Sequence, residues 1–114
     1  MIERVERPWG YFETYYKSSK LMMKRLVVNP GQRLSLQSHE NRKKYWVVEE
    51  GIAHAILNGH HLTILPGESI EVPKKKKHRL CNPGDKMLVV AETGWGDIDE
   101  EDIMRYEDDY GRMV

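Results

Sequence analysis

The chain has 114 residues, and its 18 basic and 18 acidic side chains leave a formal net charge of zero. This length predicts a single domain, residues 1–114, with a core of its own. The balanced charge gives no indication of a nucleic-acid partner or a membrane surface. Cys81 is the only cysteine, which excludes an intrachain disulfide and, with no apolar run of membrane-spanning length, favours a reducing, cytoplasmic location.

Turn signals divide the sequence into short β-rich segments. In chain order they cover residues 10–16, 21–28, 33–39, 45–49, 52–57, 60–65, 69–72, 77–81 and 87–92. Several alternate apolar and polar residues, as half-buried strands do. Asn58-Gly59 predicts a type I′ hairpin turn. Short strands between this many turns predict an all-β antiparallel sandwich or barrel.

The last part of the chain has a different pattern. In "DEEDIMRYEDDYGR", Asp99 is a candidate N-cap followed by acidic residues in the first turn. Ile103, Tyr106 and Tyr110 follow at intervals of three and four residues. This segment predicts a short C-terminal helix packed against the β domain.

Candidate site residues occupy alternate positions on three predicted strands. They are Arg33, Ser35, Gln37 and His39 on one strand, Lys44 and Trp46 on the next, and His78 on a later one. Alternate residues of a strand share a face, and in a small barrel such a face can point into the lumen. Each histidine is by itself more often a hydrogen-bonded structural residue than a ligand.

Four segments, in order from Arg7 to Arg112, carry a family resemblance: "RPWGYFE", "KRLVVNPGQRLSLQSHENRKKYWVVEEGIA", "PGESIEVPKKKKHRLCNPG" and "EEDIMRYEDDYGR". With them the chain resembles the cupin superfamily. More narrowly, it resembles the C-terminal cupin domain of bifunctional mannose-1-phosphate guanylyltransferase / type II mannose-6-phosphate isomerase. The resemblance implies a cupin-type double-stranded β-helix, or jelly roll. The guanylyltransferase domain has no room in this sequence, so nucleotidyl transfer is not implied.

The resemblance also implies a divalent metal, commonly zinc, bound by a Gln, a His, a Glu and a second His. These positions fall on Gln37, His39, Lys44 and His78, so a lysine stands where the family has its carboxylate. Arg42 matches an arginine that the family is thought to use on the sugar phosphate or in the isomerisation. The catalytic roles would then fall on Arg42, Lys44 and His78.

Lys44 predicts a degenerate site that binds metal weakly or not at all. A protonated lysine about 4 Å from a divalent ion, at an effective dielectric of about 20, repels it by about 8 kcal/mol. Three alternatives stay open. The lysine turns outward, Glu40 or Glu68 supplies a carboxylate, or the ammonium takes the position of the metal and donates hydrogen bonds to Gln37 and the two imidazoles.

Three functions also stay open. They are isomerisation of the mannose 6-phosphate type, non-catalytic binding of a sugar phosphate or nucleotide sugar, and partnership with a separate guanylyltransferase. His39, His78 and Glu68 are candidate bases. The predicted substrate contacts are Gln37, Arg42, Trp46 and Arg79, with Trp46 alternatively a core residue. Lys74–Lys77 are either a phosphate clamp or a solvated loop, and open sheet edges favour a homodimer.

Overall fold

A computed structural model describes residues 1–112, which form eleven β-strands and no helix. None of these residues belongs to a helix that is long and apolar enough to cross a membrane. The strands are β1 (Glu3–Arg7), β2 (Gly10–Lys17), β3 (Leu21–Val28), β4 (Leu36–Ser38), β5 (Arg42–Glu50), β6 (Ala53–Leu57), β7 (His60–Ile64), β8 (Ser69–Val72), β9 (His78–Cys81), β10 (Leu88–Gly96) and β11 (Met104–Glu107).

The strands form two antiparallel sheets, which confirms the predicted all-β jelly roll. One sheet has the order β1-β2-β3-β10-β5-β8 and the other β11-β4-β9-β6-β7. Apolar side chains of both sheets meet in one core, to which the first sheet contributes Leu26, Trp46 and Val90 and the second Ala55 and Leu80. The sheets therefore pack face to face, and polar residues on the same inner faces are enclosed between them.

Local sequence signals account for much of this architecture. The bounds of β3 and β8 coincide with the predicted segments 21–28 and 69–72. The β6–β7 turn has φ values of 50° at Asn58 and 82° at Gly59, as a type I′ turn requires. In β5 the buried residues are Arg42, Lys44, Trp46 and Val48. A strand whose buried face begins with two cations already departs from an ordinary core strand.

The predicted C-terminal helix is wrong. Residues Met104–Glu107 form strand β11, which pairs with β4 and places Arg105 opposite Gln37. Asp99 Oδ1 accepts a hydrogen bond from Glu101 N at 3.0 Å, so Asp99 supports a turn rather than a helix. Without β11, the backbone of β4 would lie at an open sheet edge. Pairing with β4 satisfies those backbone groups, which a helix could not do.

Arg33 does not share a face with Gln37, in contrast to the prediction. The backbone of Arg33 forms an isolated antiparallel β-bridge with that of Cys81, whereas Gln37 is paired with His78. A step of four residues on one strand thus corresponds to three on its partner, and this irregularity reverses the side-chain alternation. Arg33 consequently lies on the outer face, where its Nε donates to Asp109 Oδ2 at 2.7 Å.

Candidate functional site

A buried ion pair lies on the inner face of the six-stranded sheet. Lys44 is paired with Gly94 in β10, and Trp46 with Glu92. Because Gly94 has no side chain, Lys44 extends to its diagonal neighbour. Its Nζ lies 3.3 Å from Glu92 Oε1, and the two side chains are only 8% and 6% exposed. Lys44 therefore points inward, which excludes the outward-turned alternative.

Glu92 is a site residue that the sequence analysis missed. Its Oε1 also accepts a hydrogen bond from Trp46 Nε1 at 2.8 Å. Burial raises the pKa of Glu92, but the charges of Lys44 and Lys24 and the Trp46 hydrogen bond bring that pKa down to about 2. Burial lowers the pKa of Lys44, and the attraction of Glu92 opposes this shift. The carboxylate is ionised at neutral pH and neutralises the ammonium beside it.

Two imidazoles lie in the same interior, with ring centroids 5.3 Å apart. His39 Nδ1 lies 2.6 Å from the carbonyl oxygen of Asp102, and His78 Nδ1 lies 3.0 Å from that of Lys76. A carbonyl oxygen only accepts, so each Nδ1 carries the hydrogen and each Nε2 presents a lone pair. Both Nε2 atoms are buried without a hydrogen-bond partner.

Both histidines are held in the neutral form. Burial, followed by the positive charges of Lys44 and Arg42, lowers the pKa of His39 to about 2. Burial and the charge of Lys44 lower the pKa of His78 to about 3. The same ammonium therefore acts on both rings.

The tautomers of His39 and His78 are those of metal ligands, but the complete donor set does not fit a divalent ion. The third predicted ligand, Gln37, donates its amide Nε2 to Ser35 Oγ at 3.2 Å. Position 44 carries a cation, and no group of three His, Cys, Asp or Glu residues within 1–112 is arranged around a common metal position. A hard or borderline cation would meet two neutral imidazoles, a weak amide donor and a repelling charge, and the Glu92 carboxylate is already paired with that charge.

Neither Glu40 nor Glu68 supplies the missing carboxylate. Glu40 is exposed, and its backbone N donates to Asp102 Oδ1 at 3.0 Å. Glu68 Oε1 accepts from Leu65 N at 2.8 Å in the turn between β7 and β8. The buried carboxylate near Lys44 belongs to Glu92.

A cavity of about 240 Å³ opens beside this ion pair. The basic side chains that line it are Arg7, Lys24, Arg42, Lys44, Arg105 and Arg112. Its acidic lining residues are Glu92 and Glu100. Glu92 is paired with Lys44, and Glu100 Oε1 accepts from Lys17 Nζ at 3.1 Å. The cavity therefore carries an excess of positive charge, and we call it the cationic cavity.

Much of this charge has no counter-ion within residues 1–112. No carboxylate oxygen of the described chain lies within 4 Å of the charged nitrogens of Arg7, Lys24, Arg42 or Arg105. The Nε atoms of Arg42 and Arg105 are buried without a hydrogen-bond partner. Burial and the neighbouring charge of Arg112 lower the pKa of Arg105. Arg42 Nη1 donates to the carbonyl oxygen of Asp99 at 2.8 Å, so its guanidinium is only partly satisfied. The two Nε donors without acceptors are suited to the oxygens of an anion.

The structure brings only some of the predicted site residues to this cavity. Gln37, Arg42 and Lys44 line it, whereas His39 and His78 lie outside its lining. Trp46 is 1% exposed and belongs to the core. Arg79 lies on the outer face, where its Nε donates to Leu34 O at 2.7 Å. Trp46 and Arg79 are thus not placed to contact a ligand in the cavity, because one is enclosed and the other is on the opposite side of its sheet.

The Lys74–Lys77 run is also outside the cavity lining. All four side chains are exposed. Lys77 Nζ lies 4.2 Å from the centroid of the Tyr106 ring, and Lys75 N donates to His39 O at 2.7 Å. These contacts favour the solvated-loop interpretation over the phosphate clamp.

The fold defines the class of protein. The chain is similar to the cupin domain of Schizosaccharomyces pombe Cnp3, with 12% identity and a TM-score of 0.73, over 76% of this chain and 64% of that one. It is also similar to KdgF from Halomonas sp., with 16% identity and a TM-score of 0.78, over 86% and 89% of the two chains. These likenesses establish a cupin-type jelly roll.

Within this class, residues 1–108 match the family described as mannose-6-phosphate isomerase C-terminal, and the chain belongs to that family. It is 38% identical over 114 residues to the mannose-1-phosphate guanylyltransferase ManC of Salmonella typhimurium, covering 99% of this chain and 24% of ManC. It is 37% identical over 111 residues to the alginate biosynthesis protein AlgA of Pseudomonas aeruginosa, covering 96% and 23%. The chain thus spans about a quarter of the length of these relatives.

Proposed function

We propose that this domain binds a hexose phosphate of the mannose 6-phosphate class in the cationic cavity. The observation that carries the proposal is the set of four basic lining residues without a carboxylate partner within residues 1–112. A phosphate monoester offers up to two negative charges and several acceptor oxygens to such a set. Arginine binds these oxygens through charge-assisted, often bidentate hydrogen bonds. Membership in a mannose-phosphate family supports a sugar phosphate as the anion.

The size of the cavity favours a hexose phosphate over a nucleotide sugar. Pockets for drug-sized ligands typically measure about 300–1,000 Å³, and this one measures about 240 Å³. A nucleotide sugar would add a nucleoside and a second phosphate. The cavity therefore favours the smaller of the two ligands that the sequence left open.

The inner end of the cavity is suited to sugar hydroxyls. Lys44 offers ammonium donors there, and Gln37 offers amide groups. We propose that no divalent ion takes part. The family resemblance places a carboxylate at position 44. If carboxylates stood at both 44 and 92, their two negative charges and the two positive charges of a divalent cation would sum to zero. Lys44 and Glu92 also sum to zero, so the interior of this chain is neutral without a metal.

Metal-free isomerisation is a second candidate, because the Lys44–Glu92 pair lines the cavity itself. The ammonium would stabilise the negative charge that develops on the enediolate oxygens. Glu92 would move the proton between C1 and C2, since His39, His78 and Glu68 do not line the cavity. A carboxylate with a pKa of about 2 is a weak base, so we expect any turnover to be slow.

Calorimetry of mannose 6-phosphate in the presence of EDTA tests the binding proposal. We expect binding to wild type, with mannose itself at least tenfold weaker because it lacks the phosphate. Arg105→Gln should weaken mannose 6-phosphate binding at least tenfold. Arg25→Gln is the matched control, because Arg25 lies outside the cavity lining and pairs with Glu49 at 2.7 Å. Equal affinity for mannose and its 6-phosphate would overturn the proposal.

A separate assay tests isomerisation. Protein stripped of metals is incubated with mannose 6-phosphate, and fructose 6-phosphate is measured. Turnover in wild type that is lost in Glu92→Gln while binding is retained supports the second candidate. If concentrated wild-type protein binds the sugar phosphate without converting it, the domain is a binding module and the isomerase candidate is removed.

A further inference from the structure

Two histidines face each other on the outer side of the β6–β7 hairpin, away from the cationic cavity. His54 is paired with Thr63, and His61 with Ile56. The two histidines are therefore diagonal neighbours on one face of the hairpin. His54 Nε2 lies 2.8 Å from His61 Nδ1, with ring centroids 5.0 Å apart. This pair is exposed to solvent, and the proposed function does not use it.

We propose that His54 and His61 form a two-imidazole site for a divalent copper or nickel ion. Two nitrogens about 2.0 Å from one metal and at right angles to each other are about 2.8 Å apart, whereas a tetrahedral angle separates them by about 3.3 Å. The observed nitrogen separation of 2.8 Å is the hydrogen-bond distance of the metal-free pair, so only a small movement of the rings brings both nitrogens to one metal. Among first-row divalent ions, imidazole ligands bind copper most tightly, followed by nickel.

The two rings can present both lone pairs without a change in net charge. In the metal-free protein one of the facing nitrogens carries a hydrogen and donates it to the other. A neutral imidazole can carry its proton on either nitrogen. With the ring hydrogens on His54 Nδ1 and His61 Nε2, both facing nitrogens are free to bind the metal. One hydrogen bond is then exchanged for two metal–nitrogen bonds.

The hairpin holds the pair in place but supplies only two ligands. Five consecutive residue pairs and the Asn58-Gly59 turn fix the register. Within residues 1–112 no third His, Cys, Asp or Glu joins the two imidazoles in an arrangement for metal binding. Water or a ligand from solution occupies the remaining coordination positions, so the site binds a metal while keeping positions open for exchange.

His60 provides a matched control. It is adjacent to His61 and also exposed, but it pairs with Leu57 on the opposite face of the hairpin. The interior histidines are unchanged in every variant compared, so any metal that they bind contributes a constant background. A difference between variants at positions 60 and 61 therefore reports the facing pair alone.

Titration of metal-stripped protein with Cu²⁺, followed by calorimetry and by electron paramagnetic resonance, tests the site. We expect wild type and His60→Ala to bind one equivalent with equal affinity and to show coupling to two imidazole nitrogens. His54→Ala and His61→Ala should each bind at least tenfold more weakly and lose the two-nitrogen signature. Circular dichroism checks that the variants are folded. Unchanged affinity in His61→Ala, or an equal loss in His60→Ala, would overturn the proposal.

Discussion

Lys44 Nζ lies 3.3 Å from Glu92 Oε1 in the interior of the jelly roll, with both side chains less than a tenth exposed. Each charge is tolerated there because the other neutralises it. Breaking a buried pair leaves an uncompensated charge, and this costs far more than the intact pair contributes. The pair therefore makes the interior sensitive to single substitutions but tolerant of a neutral double substitution.

We predict that Lys44→Met lowers the free energy of unfolding by about 3–5 kcal/mol, because it leaves the Glu92 carboxylate buried without its cation. The double variant Lys44→Met/Glu92→Gln should recover most of this loss, since the amide keeps an oxygen to accept from Trp46. Urea unfolding measures both effects. Lys43→Met, at the neighbouring half-buried position on the other face of β5, is the control. Additive losses in the double variant would contradict a coupled pair.

Lys44→Glu should create the metal site that the wild-type charge opposes. Two adjacent carboxylates at positions 44 and 92 repel each other, so the metal-free variant should be less stable than wild type. Zn²⁺ should restore the melting temperature of the variant, because the carboxylate joins the unpartnered Nε2 atoms of His39 and His78. Thermal melts with EDTA or zinc, and the zinc content of the purified protein, measure this effect.

Lys43→Glu is the control, because it makes the same charge change at the neighbouring position. Zinc that binds nonspecifically at the protein surface should bind both variants equally. Only Lys44→Glu should gain zinc-dependent stability. Wild-type protein that binds zinc through His39 and His78 as tightly as the variant does would show that the charge argument is wrong.

The strand pattern was predictable because period-2 alternation and turn residues are local signals. β3, β8 and the Asn58-Gly59 turn follow from a few residues each. The C-terminal tail was not predictable in this way. Ile103, Tyr106 and Tyr110 have helical spacing, but the open edge of β4 determines the structure of this segment, and that edge is created by residues more than 60 positions earlier. Arg105 reaches the cavity only through this pairing.

Glu92 could have been identified from the sequence, although its partner could not. Leu88, Val90 and Glu92 occupy alternate positions on the buried face of β10. A carboxylate at such an inward-facing position is rare unless it is paired with a cation. That signal predicts a cation nearby. The identity of the cation depends on the register between β10 and β5, which no local pattern specifies.

The two interior histidines predict a loss of stability in mild acid. Their pKa values of about 2 and about 3 in the folded protein lie below the ordinary value of about 6.5. The unfolded chain therefore binds more protons below pH 6.5, and folding stability falls as the pH decreases from there. At pH 5 each histidine should cost about 2 kcal/mol. Glu92, with a pKa of about 2, adds to the loss only below about pH 4.5.

Urea unfolding between pH 7.5 and pH 5 measures this dependence. Two protons predict a slope of about 3 kcal/mol per pH unit below pH 6. His78→Gln should halve the slope, because His39 alone of the two interior histidines then contributes to it. His60→Gln, at an exposed position, is the control for the substitution. A wild-type slope near zero would mean that the imidazoles accept protons in the folded protein.

Gly96 fixes the backbone next to Arg42 and cannot be replaced by alanine without strain. It is paired with Arg42 and has a φ of +132°, and a Cβ there would overlap the carbonyl oxygen of Asn41. Gly96→Ala should lower the free energy of unfolding by about 2–3 kcal/mol and weaken mannose 6-phosphate binding, because the segment that positions the Arg42 guanidinium must shift.

Gly59→Ala is the control, since its φ of +82° is also positive but nothing lies within 4 Å of the added carbon. It should lose only about 1 kcal/mol and bind the sugar phosphate normally. Normal binding by a folded Gly96→Ala protein would show that the position of Arg42 does not limit recognition.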